Sequence, residues 1–265
     1  MILVAGGTGR LGALVVAGLT DRGERVRVLT RDPGRAVKLV GPLVELTVGD
    51  VREPASLVPA VAGVNIVVSA VHGFAGPGRV TPESVDRDGN AHLVAAAKEV
   101  GAELVMVSVV GAAPHHALEL FRMKAAAETN LRASGVPWTI VRSTGFLELY
   151  LDLMRQSAGK SGRAMVFGRG ENPINFVRVA DVARAVVGAV EDPALRGQTI
   201  ELRGQNLTLN ELARMVQQEL GTADRRPRHV PRGILRILAA TEVVTKSAVA
   251  RQGHAALIMD STVMT

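Results

Sequence analysis

The run Ile2-Leu3-Val4-Ala5 leads directly into Gly6-Gly7-Thr8-Gly9-Arg10-Leu11-Gly12, and helical spacing follows from Leu11 to Arg22. Each glycine of the Gly6-x-x-Gly9-x-x-Gly12 triplet has a physical purpose. Gly6 permits a tight turn, Gly9 lets the backbone approach an anionic group, and Gly12 lets a helix pack closely on a strand. The amides at the start of that helix have no partners within it, so the turn is a ready receptor for phosphate. A strand, a glycine turn and a helix in this order begin a βαβ unit.

The pattern continues in the same sense. Apolar runs at Val26 to Leu29, Leu43 to Val48, Ile66 to Ser69, Leu104 to Ser108 and Thr139 to Val141 have the length of buried strands. Between them, Arg35 to Val40, Pro54 to Val61, Pro82 to Val100 and His116 to Ser134 have helical spacing. The alternation predicts an α/β fold of the Rossmann type, a doubly wound parallel sheet with helices on both faces. After Arg142 the pattern changes: a helix from about Phe146 to Gln156, short segments at Ala164 to Phe167 and Asn175 to Val179, a helix at Val182 to Val190, and a strand at Thr199 to Leu202. Thr208-Leu209-Asn210-Glu211 fits a capping box that opens another helix. The expected division is a core at residues 1–145 and a smaller C-terminal substrate lobe at 146–265, interleaved with the end of the sheet as one structural unit. From Gly233 to Ala250, Ile234, Leu235, Ile237 and Leu238 with Val243 and Val244 suggest a helix whose apolar face covers a cleft or meets a second subunit.

Composition removes several classes of function. The 265 residues include no cysteine, which excludes thiol redox chemistry and thiolate metal ligation. Aromatic residues make up only 3%, so the core must come from Val, Leu, Ala and Ile, as buried parallel strands require. The net charge of +6 is scattered along the chain; its one local cluster, Arg225-Arg226-Pro227-Arg228-His229, reads as a solvated loop, and no nucleic-acid partner is expected. No apolar stretch reaches the length of a membrane span and no secretory leader is evident, so the expectation is a cytoplasmic protein without a membrane partner. His115 and His116 are adjacent and do not share a helix face, and no metal site is expected.

The ends of the strands carry candidate binding groups. After the second strand stands Arg31-Asp32-Pro33. An arginine there suits a 2′-phosphate, whereas a carboxylate suits a ribose 2′-hydroxyl; Asp32 before Pro33 also reads as a helix cap, so Arg31 favours NADP(H) over NAD(H). Asp50 after the third strand can accept from an adenine amino group, with Val51 packed on the ring, can cap the helix at Pro54, or can do both. Ser69-Ala70-Val71-His72-Gly73 offers small residues, Ala70 and Val71 among them, that let backbone approach the middle of a dinucleotide. His72 reads as a loop residue or an acid.

Together these motifs resemble the atypical short-chain dehydrogenase/reductases, in particular the NmrA-like and NAD(P)H:quinone-reductase-like branch. The matching residues are Gly6 to Gly12, Thr30-Arg31-Asp32-Pro33, Gly49-Asp50, Asp86-x-x-Gly89-Asn90, Lys124, Trp138 to Arg142, Asn172 to Phe176, Val179 to Ala183 and Leu207 to Glu211. The resemblance implies that Gly6, Thr8, Gly9, Arg10, Leu11 and Gly12 hold the cofactor, with Lys124 at the nicotinamide ribose or acting as an acid. The superfamily pairs such a lysine with a tyrosine four residues earlier, one turn away on the same helix face. Here that position is Leu120, Phe121 beside it has no hydroxyl, and the only tyrosine is Tyr150. Ser108, at the end of the fifth strand, is either a hydroxyl donor near the nicotinamide or a plain strand-end serine. The resemblance also sets Phe74, Phe146, Tyr150 and Met165 in segments beside the nicotinamide, as candidates for an apolar wall. Two functions stay open. One is an NADPH-dependent oxidoreductase, monomer or homodimer, that reduces a small quinone-like or conjugated acceptor without the tyrosine relay. The other is a non-catalytic NADP-sensing regulator acting through a protein partner; a scaffold with vestigial binding is a third possibility.

Overall fold

The computed structural model describes residues 1–245 and 247–264, with the side chains of 241–245 outside the description. The chain divides into two compact units: Met1–Ser143 with Val179–Leu202, and Thr144–Arg178 with Arg203–Thr265. The first is built on seven strands: β1 (Ile2–Ala5), β2 (Val26–Thr30), β3 (Val44–Val48), β4 (Ile66–Ser69), β5 (Glu103–Val109), β6 (Trp138–Ser143) and β10 (Thr199–Leu202). They lie in the order β10-β6-β5-β4-β1-β2-β3, and every neighbouring pair is parallel. All four residues of β1 are buried, as expected of a central strand covered on both faces. Ile2 pairs with Val26 on one side and with Ile66 on the other. Strand order therefore reverses between β1 and β4, and at such a switch point the carboxyl ends of the strands diverge to leave a crevice.

Helices cover both faces of this sheet. α1 (Arg10–Thr20) packs with α6 (Val179–Glu191), while α2 (Pro54–Val61), α3 (Asn90–Glu99) and α4 (Glu119–Ala133) pack in series. The second group closes over Leu3, Ala5, Val67, Leu104, Met106 and Ile140, into which Leu57, Leu93 and Leu131 project. Asp32 caps the 3₁₀ turn Pro33–Leu39 through the amide of Gly34.

The expected single helix from Pro82 to Val100 is instead a π turn, Pro82–Gly89, followed by α3. Thr81 opens it with a reciprocal cap: its hydroxyl accepts from the Ser84 amide while Ser84 accepts from the Thr81 amide. Gly89 lies against Val51, where a Cβ would come within 2.7 Å of Val51 Cγ2. The turn thereby buries Val85, Asp86 and Gly89 together. Such widened turns are frequent where a side chain must be aimed.

The second unit has β7 (Gly145–Phe146), α5 (Leu147–Ala158), β8 (Met165–Phe167), β9 (Ile174–Val177), β11 (Gln205–Leu207), α7 (Leu209–Glu219), β12 (Arg228–Val230), α8 (Arg232–Thr245) and α9 (Ala248–Ser261). β9 is central to a three-stranded sheet with β7 parallel and β11 antiparallel to it, and β8 pairs with β12. The capping box at Thr208 and Glu211 forms as the sequence predicts. The single helix expected from Gly233 to Ala250 divides into α8 and α9; Leu235 is buried, Ile234 and Ile237 are exposed, and the side chains of Val243 and Val244 lie outside the described residues. Buried Asp260 on α9 accepts from the amides of Arg169 and Gly170 at 2.7 and 3.1 Å and faces Arg232 Nε at 3.0 Å.

A buried carboxylate ties β10 to the rest of the first unit. Glu128 on α4 accepts from Ser108 Oγ on β5 at 2.6 Å and from Arg142 on β6 at 2.9 and 2.6 Å. Arg142 in turn reaches Glu201 on β10 at 3.0 Å. Burial alone would raise the Glu128 carboxyl, but the hydrogen bonds from Arg142 and Ser108 and the charges of Arg142 and Arg132 outweigh it and hold it below the ordinary value of 4.5. A folded-state pKa that is depressed adds stability above the unfolded value and loses it as pH falls through the folded one. Glu128→Gln is expected to cost about 2 kcal/mol near neutrality. Urea unfolding of the two proteins should show that difference intact at pH 6 and shrinking on acidification below about pH 4.5.

Candidate functional site

The glycine turn between β1 and α1 stands at the switch point. Gly6 has φ of +86°, and a Cβ there would come within 2.5 Å of the Ala70 carbonyl oxygen at the end of β4. A Cβ at Gly12 would collide with the carbonyl of Gly6. Both positions thus exclude a side chain, and the first turn of α1 lies directly behind the loop. Gly9 is the N-cap, no side chain caps the helix, and its first turn has no acidic residue. The positive end of α1 is left for an anion. Thr8 is half-buried, Gly9 and Arg10 are exposed, and Leu11 is buried. These features fit a dinucleotide pyrophosphate.

Beyond β2, Arg31 is exposed, while Asp32 Oδ1 accepts from Gly34 N at 2.9 Å. Asp50 does not cap the helix at Pro54, where Glu53 is the N-cap. Its carboxylate instead receives the Arg52 guanidinium, with Nη2 at 2.6 Å from Oδ2, and the Arg52 amide at 3.0 Å. Burial would raise the Asp50 carboxyl, yet the hydrogen bonds and charge of Arg52, with a further contribution from Arg31, hold it below its usual value. Val51 turns its side chain into the core, and its carbonyl meets His92 Nδ1 at 2.7 Å.

The ends of β4 and β5 are joined by Lys124, whose side chain is 4% exposed. Its Nζ lies 3.2 Å from the Val71 carbonyl, 3.0 Å from the Val107 carbonyl and 3.0 Å from Asp86 Oδ1. Two of the ammonium's protons are donated to the carbonyls, and the Asp86 carboxylate stands beside it as an ion-pair partner. Asp86 comes from the π turn; its Oδ2 accepts from Gly73 N at 2.8 Å, and its carbonyl accepts from Asn90 Nδ2 at 2.7 Å. Ser69 Oγ closes the network by donating to Asn90 Oδ1 at 2.6 Å. The sequence singled out Asp86 and Asn90 only as family signatures. Their role follows from contacts across 38 positions of chain, between 86 and 124, for which spacing carries no signal.

Ser108 is buried and its hydroxyl proton is donated to Glu128. Leu120, in the usual tyrosine position, is buried in α4. Phe74 is half-buried beside His72, ring centroids 6.1 Å apart, in the first unit. Phe146, Tyr150 and Met165 belong to the second unit. Tyr150 packs edge-on against Phe176 and its hydroxyl donates to Met259 Sδ at 3.4 Å; burial pushes the phenol up to about 12. Open concavities of about 290 and 240 Å³ occur at the opposite, amino-terminal ends of β1 and β4 and between α1 and β3, away from the glycine turn.

Comparison with known proteins bears on this arrangement. The family model described as the NmrA-like family matches residues 1–254. The chain belongs to the NmrA-like family. It is 30% identical over 223 residues to an NAD(P)H azoreductase of Xenophilus azovorans, covering 83% of this chain and 74% of that one. It is 28% identical over 241 residues to the photosystem II assembly factor Ycf39 of Synechocystis, covering 89% and 72%. Among solved structures, an NADPH-dependent quinone oxidoreductase of Escherichia coli complexed with NADPH superposes with a TM-score of 0.78 at 21% identity, covering 98% of this chain and 89% of that one. The triphenylmethane reductase of Citrobacter complexed with NADP(H) gives 0.77 at 21%, covering 100% and 93%. These likenesses to solved structures share the fold. Among the described residues, no helix is long and apolar enough to cross a membrane and no cluster of potential metal ligands occurs.

Removing one member of a buried ion pair leaves the other charge without compensation, at a cost of about 3–5 kcal/mol. Lys124→Met should lower stability by that order, and Lys124→Met with Asp86→Asn should recover part of the loss. Thermal or urea unfolding of the three proteins measures both changes. Equal stability of the single variant and the wild type would show that the Lys124–Asp86 pair does not stabilise the fold.

Proposed function

We propose that this NmrA-like protein is an oxidoreductase that binds NADP(H) and reduces a small quinone-like or otherwise conjugated acceptor. The single observation that carries the reading is the uncapped start of α1 behind a turn that admits only glycine at Gly6 and Gly12, at the point where strand order reverses. The azoreductase relative supports the reaction class.

In this reading Gly6, Thr8, Gly9, Arg10, Leu11 and Gly12 hold the pyrophosphate, chiefly through backbone amides. Arg31 binds the 2′-phosphate, a role favoured because Asp32 is engaged in a cap and so is drawn away from a ribose hydroxyl. Asp50 and the backbone at Val51 bound the adenine end, and Ala70 and Val71 line the middle. Ser108, its proton already donated to Glu128, offers acceptor lone pairs to the nicotinamide end. Lys124 fixes the Val71 and Val107 carbonyls that frame this end, so its part is to position rather than to donate a proton. Phe74, in the same unit as the glycine turn, is the proposed apolar contact of the acceptor. The bound reduced nicotinamide supplies a hydride; the protein's own task is to orient the acceptor, keep water away and deliver a proton.

A second reading, an NADP-sensing regulator, draws support from the engaged ammonium of Lys124 and from Leu120 in the tyrosine position. The assembly-factor relative is in keeping with it. NADPH oxidation followed by absorbance with a panel of quinones and azo dyes separates the two: turnover is expected for the reductase, and tight binding without turnover across the panel would favour the sensor. By calorimetry, Arg31→Ala should weaken NADPH by about 10- to 100-fold, equivalent to roughly 1.4–2.8 kcal/mol, and NADH by less than threefold. Equal losses for the two nucleotides would remove the phosphate-binding role of Arg31.

A further inference from the structure

The catalytic tyrosine is replaced by Leu120 and the lysine ammonium is engaged, so a reductase of this construction needs its proton from elsewhere. His72 stands directly after the β4 end, two residues beyond the Ala70 carbonyl that touches the glycine turn. Its side chain is 52% exposed, and Nδ1 lies 3.8 Å from Asp86 Oδ1. Asp86 is fully buried, held by the Gly73 amide and by Lys124, and its Oδ1 has no hydrogen bond of good geometry within the protein. The Asp86 oxygen thus lies within ion-pairing distance of the imidazole's Nδ1. Phe74 flanks the ring at 6.1 Å.

We infer that His72 is the proton donor of the reduction, with Asp86 as the positioning residue that orients its ring through Nδ1. The inference rests on the reductase reading of the preceding section. As a quinone-like acceptor takes the hydride, the π electrons shift through its conjugated system onto a carbonyl oxygen, and that oxygen takes the proton from His72 Nε2. The imidazole is left neutral and regains a proton from solvent, to which it is open. Overall, one NADPH and one proton convert the acceptor to its dihydro form and NADP⁺.

Two charged groups face the ring, Asp86 from the π turn and Lys124 from α4. Withdrawal from water on the protein side lowers the imidazole from its ordinary 6.5, Asp86 opposes this and Lys124 adds to it, with a net lowering. The protonated donor is therefore populated in mild acid and lost as pH rises.

The test is the pH profile of kcat for the wild type and His72→Gln, with NADPH and the quinone turned over best by the wild type. NADPH affinity is measured alongside by calorimetry, and the His72 ring is titrated by NMR in the resting protein, its resonance assigned by its loss in His72→Gln. The variant changes an exposed side chain and is expected to fold. General acid catalysis contributes typically 10²- to 10⁴-fold, so kcat at pH 6 should fall by about 100-fold or more. NADPH affinity should stay within about twofold, because Gln keeps the polarity without an acidic proton. The wild-type profile should fall above a midpoint that coincides with the NMR titration of His72, and that limb should vanish in the variant. Unchanged kcat and an unchanged limb in His72→Gln would overturn the donor role and leave the reductase reading standing, as would a kinetic midpoint well apart from the ring's titration. A wild type that binds NADPH and turns over none of the panel would overturn the reductase reading, and the donor role with it.

Discussion

The ammonium of Lys124 organises the carboxyl end of the sheet. The carbonyls of Val71, two residues past β4, and of Val107, within β5, both accept from it. Without a cation between them they would repel and remain short of donors. Lys124 supplies donors to both, and Asp86 supplies the counter-charge that makes a buried ammonium tolerable. The π turn follows from this need, since it carries the carboxylate inward between β4 and α4. Asn90 and Ser69 extend the same network into α3, so the position of the strand ends is set by a connected polar assembly and not by apolar packing alone.

Much of the framework was legible in the sequence because its signals are local. β1, the glycine turn, α1 and the helix at Pro54–Val61 follow from apolar runs, glycine geometry and a proline at the first helical position. The capping box at Thr208 is likewise a four-residue signal. The π turn was not legible, because Pro82–Gly89 shares the composition of an ordinary helical start and the extra residue in its turn leaves no mark on the apolar pattern. The two- and three-residue strands β7, β11 and β12 are too short to show a period. The break between α8 and α9 falls within a stretch that stays apolar on either side, so periodicity joins what the backbone separates.

The site divides in the same way. Gly6 to Gly12 announce themselves by residue type at a strand end, and Arg31 stands as a candidate by the same local signal. The partners of Lys124, Ser108 and Asp50 do not, because whether a polar group remains available depends on contacts that tertiary structure decides. Ser108 appeared as a possible donor, yet Glu128 lies twenty positions away and takes its proton. Arg52 lies only two residues from Asp50, and an i to i+2 clasp in a turn is a signal that sequence reasoning had within reach. Family membership therefore narrows the fold and the class of ligand more firmly than the chemistry, since the groups that distinguish catalysis from sensing sit among these long-range contacts.

The excursion of the chain between Ser143 and Val179 has a consequence for biosynthesis. Strand β10 is the edge neighbour of β6, and Glu201 on it completes the chain of charges that runs from Glu128 through Arg142. A nascent polypeptide emerging from the ribosome presents β1 through β6 long before β10 exists, so for that interval the Arg142 side of β6 is an open edge with unpaired backbone groups and a half-neutralised charge cluster. The interruption that delays the sheet's last strand thus lengthens the interval for which that edge waits without its neighbour.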